Sequence, residues 1–430
     1  MTNTQWNFDT LQIHAGQHPD SETAARALPI YQTTSFVFKD AQQAAGRFAL
    51  TDLGPIYTRL TNPTVAVLEE RIAALNGGAA SLVIASGQSA EFYAILNIAS
   101  AGDEIVSSPS LYGGTYNLFK TTLPTFGITT NFVENPDDID SWRAAITENT
   151  KALYAETIPN PQGDIADLEA LADLAHEHGV PLIVDNTIGT PYNVRPFEHG
   201  ADIIVESATK FLGGHGTAIG GVITERGDFD WANGKFPAFT TPDDSYNGLV
   251  FAELGAGAFV TRIRATLLRD TGAAISPFNA FLIEQGIETL SLRVQRHLDN
   301  TQKVAEFLAE QSDVVEKVTY SGLPSSPYYE RAQKYAPKGA GSVFAFDLRG
   351  GREAGETFVD ALELFSNLAN IGDVRSLVIH PASTTHSQLT DEEIAASGIS
   401  AGTVRLSIGI EDADDIIADV QRGLDAVRAL

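Results

Sequence analysis

Cysteine is absent from the 430-residue chain, and its single methionine is Met1. No disulfide, thiolate metal site or catalytic thiol can therefore form. Such a dearth of sulfur is the composition expected of a chain made under sulfur limitation; expression insensitive to methionine and sulfide supply would reduce it to chance. Basic residues are also few: 28 Lys and Arg stand against 55 Asp and Glu, a formal charge of -27. Nucleic acid and anionic membranes both need a positive field, so neither is an expected partner. No run approaches a membrane span, and Met1-Thr2-Asn3-Thr4-Gln5-Trp6 lacks the basic start and apolar stretch of a signal peptide. The expected compartment is cytoplasmic. His176 and His178 stand two apart in a helix-like run, do not share a face, and read as solvent-exposed side chains rather than a metal site.

What remains is the material of a folded α/β chain. At 43% hydrophobic residues the sequence is too apolar to be disordered, and its length supports roughly one to three domains. From about residue 64 to 261, strand-like runs (Ser81–Ala85, Glu104–Val106, Ala152–Ala155, Leu182–Val184, Asp202–Val205) alternate with helical patterns. That is the βαβ signature of a mostly parallel central sheet covered on both faces. After about Pro277 come helix-like 279–308, strand-like 342–348, helix-like 356–368, strand-like 403–410 and helix-like 413–430, a smaller C-terminal α/β domain. The divisions expected are 1–63, 64–276 and 277–430. Thr390-Asp391-Glu392-Glu393 has the form of a capping box, and Gly227–Gly248 reads as an excursion near the site.

Two polar residues close apolar runs. Asp185 ends Pro181-Leu182-Ile183-Val184-Asp185, and Lys210 ends Glu206-Ser207-Ala208-Thr209-Lys210 a short crossover later. Each alone reads as a strand terminator; together they suit pyridoxal phosphate. A lysine at one strand end can hold an aldehyde as a Schiff base, and an aspartate on a neighbouring strand can keep a pyridine nitrogen protonated. Ser86-Gly87-Gln88 follows a strand and opens a helix, where free amides bind phosphate, although an ordinary strand-to-helix turn looks the same. Ser207 and Thr209 can add hydroxyls to that phosphate. Tyr112, past the run Glu104-Ile105-Val106, can lie on a ring and move protons, or be a core tyrosine. Period-two alternation puts Val404, Leu406 and Ile408 on one face and Arg405 on the other, aimed to take a carboxylate or to form a structural ion pair. The glycines of Phe211–Gly221 fail dinucleotide-loop spacing, since Ile219 stands where a glycine is needed, and suit a chain passing close to a bound ring.

The motifs in order resemble the cysteine/methionine-metabolism family of pyridoxal-phosphate enzymes. They are Ile13-His14-Ala15-Gly16, Pro29–Phe36, Tyr57–Thr64, Ser86-Gly87-Gln88, Asp185-Asn186-Thr187, Ser207–Lys210, His380–His386 and Val404–Gly409. The resemblance implies the PLP-dependent transferase fold (fold type I) and a homotetramer of tight dimers, with the N-terminal segment contributing to the neighbour's site. Tyr57 and Arg59 would reach the neighbour's cofactor phosphate. Gly87, Gln88, Ser207 and Thr209 would complete that cradle, with Tyr112 on the ring and Asp185 at its nitrogen. Asn160 would contact the ring hydroxyl and the substrate carboxylate, Asn370 the substrate, and Arg405 would anchor the carboxylate. Lys210, Tyr112 and Tyr57 would be the catalytic residues.

Within the family, Asn370-Ile371-Gly372-Asp373, Gln88 and the Trp231–Gly248 excursion are similar to O-acetylhomoserine sulfhydrylases. Gly114 stands where methionine gamma-lyases carry cysteine. The activity this implies is gamma-replacement of O-acetyl-L-homoserine by sulfide or methanethiol. A gamma-lyase or cystathionine gamma-synthase is the alternative, and a dinucleotide-dependent oxidoreductase or a non-catalytic binding protein are the rivals from other classes.

Overall fold

The computed structural model describes residues 6–160, 163–384 and 400–430. The expected helix opening at Thr390 lies outside the described residues, as do Thr385 and His386 of the family motifs.

The larger sheet comprises β1 (Ala80–Ile84), β2 (Glu104–Ser107), β3 (Thr129–Phe132), β4 (Thr150–Glu156), β5 (Leu182–Asp185), β6 (Ile203–Glu206) and β7 (Gly221–Glu225), in the order β1-β7-β6-β5-β4-β2-β3. Strands β6, β5, β4, β2 and β3 pair in parallel, and β7 runs antiparallel to both β1 and β6. The mostly parallel sheet is thus present, and helices bury both faces. Leu168–Glu177 packs Leu171 and Ala175 with Leu153 and Val184 on one side, whereas Gly87–Leu96 packs Ala90 and Ala94 with Tyr154 and Ile183 on the other. The helix Pro63–Asn76 begins with Pro at its first turn, is capped by the Asn62 side chain, and ends at Gly77 with φ 73. Only a residue tolerant of the left-handed region ends a helix this way without strain.

A second sheet, ordered β10-β11-β12-β9-β8, is formed by β8 (Val315–Thr319), β9 (Val343–Leu348), β10 (Ser366–Asn367), β11 (Leu377–Ile379) and β12 (Thr403–Ser407). Helices Gly351–Ala361 and Ala413–Arg428 bury Phe358, Ile416, Val420 and Leu424 in one core with Phe344, Phe346, Val404 and Leu406.

Several sequence expectations need correction. Residues 279–308 form two helices, Pro277–Ile287 and Leu290–Ala309, because Thr289 leaves the helical region at φ -119, ψ 17. The segment 356–368 is helical only to Ala361. Beyond it the Asp419 carboxylate accepts the amides of Glu363, Leu364 and Phe365, which pulls the chain off the helix axis. No residue of the Gly227–Gly248 excursion lines the cavity that holds Lys210 and Arg405, and its first part lies away from it. Trp231 packs against both Phe239 and Phe259, Asn233 donates to the Gly179 carbonyl, and Lys151 donates to the Lys235 carbonyl, so this part lies toward the amino ends of β4 and β5. Its aromatics gain more from burial against the sheet than from lining a polar cavity.

Candidate active site

The carboxyl ends of β4, β5 and β6 face the middle of β12 across a cavity of about 330 Å³, a size suited to a small ligand. Lys210 does not stand in a strand, as the sequence implied. β6 stops at Glu206; the Ser207 amide then donates to the Thr187 hydroxyl (2.8 Å), and the Lys210 amide closes a turn on the Ser207 carbonyl (3.1 Å). Leaving the ladder turns Lys210 across the cavity, where its Nζ donates to Asn370 Oδ1 at 2.5 Å. Arg405, on β12, donates through Nη2 to the Asn370 carbonyl at 3.2 Å, and its buried Nε has no partner. Asn370 therefore touches both cations. Burial, and then the Arg405 charge, hold the Lys210 amine below its ordinary pKa; burial lowers Arg405 to about 10.

The opposite wall is acidic. Asp185, at the end of β5, is partly open to the cavity and accepts the Thr187 amide at 2.7 Å. Beside it are two buried carboxyls, Glu91 from the helix Gly87–Leu96 and Glu156 from the end of β4. Gln88 Nε2 donates to Glu91 at 2.8 Å and Thr115 Oγ1 at 2.9 Å, while the Tyr112 amide donates to Glu156 at 2.6 Å. Desolvation raises all three carboxyls, Glu91 and Glu156 strongly, and the Asp185 charge pushes both of these further. The buried Tyr154 hydroxyl near them has no partner, and burial followed by the three carboxyls drives its pKa well up.

Ten of the expected residues, Gly87, Gln88, Tyr112, Asn160, Asp185, Ser207, Thr209, Lys210, Asn370 and Arg405, line this one cavity. Gly87 is required by packing, since a Cβ there would stand 2.7 Å from the Ser207 Cβ. Thr209 departs from expectation in part: its hydroxyl is spent on Gly220, donating to the carbonyl and accepting from the amide. The glycines after Lys210 clear protein rather than an open ring site, because a Cβ at Gly221 would meet the Ser86 carbonyl at 1.9 Å and one at Gly214 the Arg293 guanidinium at 2.1 Å. Tyr57 and Arg59 do not join the cavity. Tyr57 is 41% exposed, with the Arg59 guanidinium 5.2 Å from its ring centre. His176 is exposed, as expected, although its Nε2 lies 2.8 Å from the buried Asp202 carboxylate. The Nε2 of His178 is buried without a partner. A larger groove, about 790 Å³, runs beside β8 and Asp164 but holds neither Lys210 nor Arg405.

Sequence reading assigned no role to Glu91 and Glu156. Each is an acid inside or closing an apolar run, Ala90-Glu91-Phe92-Tyr93-Ala94 and Ala152-Leu153-Tyr154-Ala155-Glu156, and that mismatch was the available signal.

The cavity fits pyridoxal phosphate on its own terms. It offers an amine, free amides at a helix start, a carboxylate facing inward for a ring cation, and a buried Asn160 Oδ1 with no partner. The model of the Cys/Met metabolism PLP-dependent enzyme family matches residues 9–425. An O-acetyl-L-homoserine sulfhydrylase of Corynebacterium glutamicum is 55% identical over 428 residues, 98% of each chain. A homocysteine synthase of Schizosaccharomyces pombe is 51% identical over 423 residues, 97% of this chain and 98% of that one. Among solved structures, a putative O-acetylhomoserine (thiol)-lyase of Campylobacter jejuni superposes with a TM-score of 0.94 at 43% identity, covering 98% of this chain and all of that one. That protein carries N'-pyridoxyl-lysine-5'-monophosphate at its position 205. On the family match, the chain belongs to the Cys/Met metabolism PLP-dependent enzymes.

Proposed function

We propose that this protein exchanges the acetate of O-acetyl-L-homoserine for sulfide, giving L-homocysteine, and takes methanethiol in the same way to give methionine. The observation that carries the proposal is the Lys210–Asn370–Arg405 arrangement facing Asp185 across one cavity. The names of the most similar relatives support the choice of substrate.

Pyridoxal phosphate, when bound, supplies an electron sink for charge developing at the substrate's α-carbon. The chain's own residues do the rest. Arg405 pairs with the substrate carboxylate and orients the Cα–H toward Lys210. The amine of Lys210, kept from protonation by burial and by Arg405, accepts that proton. Lys210, having passed the first proton on, takes a second from Cβ, and acetate leaves from Cγ with the bonding electron pair. Sulfide forms the new C–S bond there, and Lys210 with Tyr112 returns the two protons. Amides of Gly87 and Gln88 with the Ser207 hydroxyl would hold the phosphate, the Thr209 hydroxyl would join them only by exchanging its bond to the Gly220 carbonyl, and Asp185 would keep the ring nitrogen positive. Tyr112 would cover the ring, and Asn160 would meet the ring hydroxyl and the substrate carboxylate.

Tyr57 and Arg59 act from a second copy of the chain in a homotetramer. Support comes from the apolar side chains that residues 30–57 leave in solvent, with Val37 100% and Leu53 80% exposed. In this reading residues 64–276 hold the cofactor and 277–430 carry Arg405. The protein is cytoplasmic, and no helix among the described residues is long and apolar enough to cross a membrane.

The test is product identification with purified protein, O-acetylhomoserine and sulfide. Homocysteine formed only with sulfide supports the proposal; 2-oxobutyrate and ammonia released from methionine would replace it with the gamma-lyase.

A further inference from the structure

Two carboxyls in contact cannot both be charged inside a protein unless a cation stands between them. Glu91 and Asp185 are in side-chain hydrogen-bond contact, and both line the cavity. The groups facing Glu91 are Asp185 from β5, Glu156 and Tyr154 from β4, and Gln88 and Thr115 on its own side; Lys210 and Arg405 stand on the far wall. Neither cation reaches it, since both meet Asn370. One proton must therefore be shared by the pair, and its surroundings assign it to Glu91. Each carboxyl accepts two hydrogen bonds, Glu91 from Gln88 and Thr115 and Asp185 from the amide and hydroxyl of Thr187, so burial decides: Glu91 is 3% exposed, whereas Asp185 opens to the cavity, where its charge is better solvated.

We infer that Glu91 is a positioning residue for the cofactor: as a neutral acid it donates a hydrogen bond to Asp185, which stays ionised and aimed at the ring nitrogen. This rests on the cofactor assignment above and extends it to a residue that does not touch the cofactor. Gln88 and Thr115 fix the Glu91 carboxyl from two sides, so the donated hydrogen bond has a set direction. A cationic ring nitrogen then meets one formal charge, not two in mutual repulsion.

The experiment reads pyridoxal phosphate affinity and the pH dependence of the visible band in wild type, Glu91→Gln and Glu91→Leu. Glutamine keeps an N–H donor and cannot ionise, so its Kd should stay within about threefold of wild type. Leucine leaves Asp185 without that donor, so its Kd should rise about tenfold, with a displaced pH midpoint. Glutamine as weak as leucine, or leucine equal to wild type, would overturn the inference. Should the leucine variant fail to fold, infrared difference spectra of the wild-type and glutamine apoproteins at neutral pH decide. Loss of a protonated carboxylic-acid band in the variant supports the assignment, and loss of carboxylate bands alone overturns it. Wild type that binds no cofactor would instead sink the cofactor assignment itself.

Discussion

Two sets of buried opposite charges among the described residues are handled differently. Arg71, wholly buried, sits 2.5 Å from Glu284 and 3.6 Å from the half-open Glu288 carboxylate, while its Nε and Nη2 donate to the Ala15 carbonyl and the Gln17 side chain. That pair is closed: it ties residues 15–17 to the helices Pro63–Asn76 and Pro277–Ile287. The cavity is open. Its cations Lys210 and Arg405 meet Asn370, its carboxyls Asp185, Glu91 and Glu156 meet amides and hydroxyls, and the two walls do not neutralise each other. Burial pushes every one of these groups toward its neutral form. A closed pair holds chain segments together, whereas an open set is held short of neutralisation until a ligand with charges of both signs enters.

The largest expected effect breaks the open side. Lys210→Ala removes both the aldehyde-binding amine and the proton acceptor, and turnover should fall by roughly 10³-fold or more. Borohydride should no longer tether the cofactor to position 210, as peptide mapping would show. Retained turnover would place the base elsewhere. Breaking the closed pair should act on stability instead. Arg71→Met leaves Glu284 buried without its cation, at a cost of about 3–5 kcal/mol in chemical denaturation. Burial already lifts Glu284 to about 7, so an unaltered denaturation midpoint would mean the carboxyl is neutral in the native fold and the pair is not an ion pair.

Arg405→Ala sharpens the contrast because it should touch both binding and proton affinity. KM for O-acetylhomoserine should rise about a hundredfold, with a smaller change in kcat. The Arg405 charge is also the second cause, after burial, of the lowered Lys210 pKa. Its removal should move the acid limb of cofactor trapping by apoprotein to higher pH. If KM rises while that limb stays put, Arg405 anchors substrate but does not tune the lysine.

The open set was half legible in the sequence, and the reason lies in what each residue interrupts. Arg405 stood out because a cation in period-two alternation with Val404, Leu406 and Ile408 needs an anionic partner, but the pattern alone did not separate a substrate carboxylate from a structural ion pair. Lys210 and Asp185 stood at the ends of apolar runs, although the turn that carries Lys210 out of β6 depends on the Thr187 hydroxyl, a contact no local pattern encodes. Glu91 and Glu156 carry the same local signal as Asp185, and only the convergence of β4, β5 and the helix Gly87–Leu96 shows that they share its cavity. The helix read through Leu368 failed for the same reason: what ends it is Asp419, more than fifty residues away, taking three consecutive amides.

His176 and Asp202 give a third arrangement, half open to solvent, and the smallest expected effect. Asp202 is fully buried and keeps the Leu182 amide and the Arg226 guanidinium as partners, so it stays held when the histidine is removed. The hydrogen bond to Asp202 raises the His176 pKa above its ordinary 6.5, against the opposing effect of burial. A folded-state pKa above the unfolded one means the protonated ring favours the native state. That contribution is complete below about 6.5 and fades as pH climbs through the folded value. Because the ring is 37% exposed, solvent screening keeps it below about 1 kcal/mol. Denaturation midpoints of His176→Ala and wild type should differ at about pH 6 and converge by about pH 8. A constant offset across that range would show that the ring contributes packing alone and that the pair carries no charge.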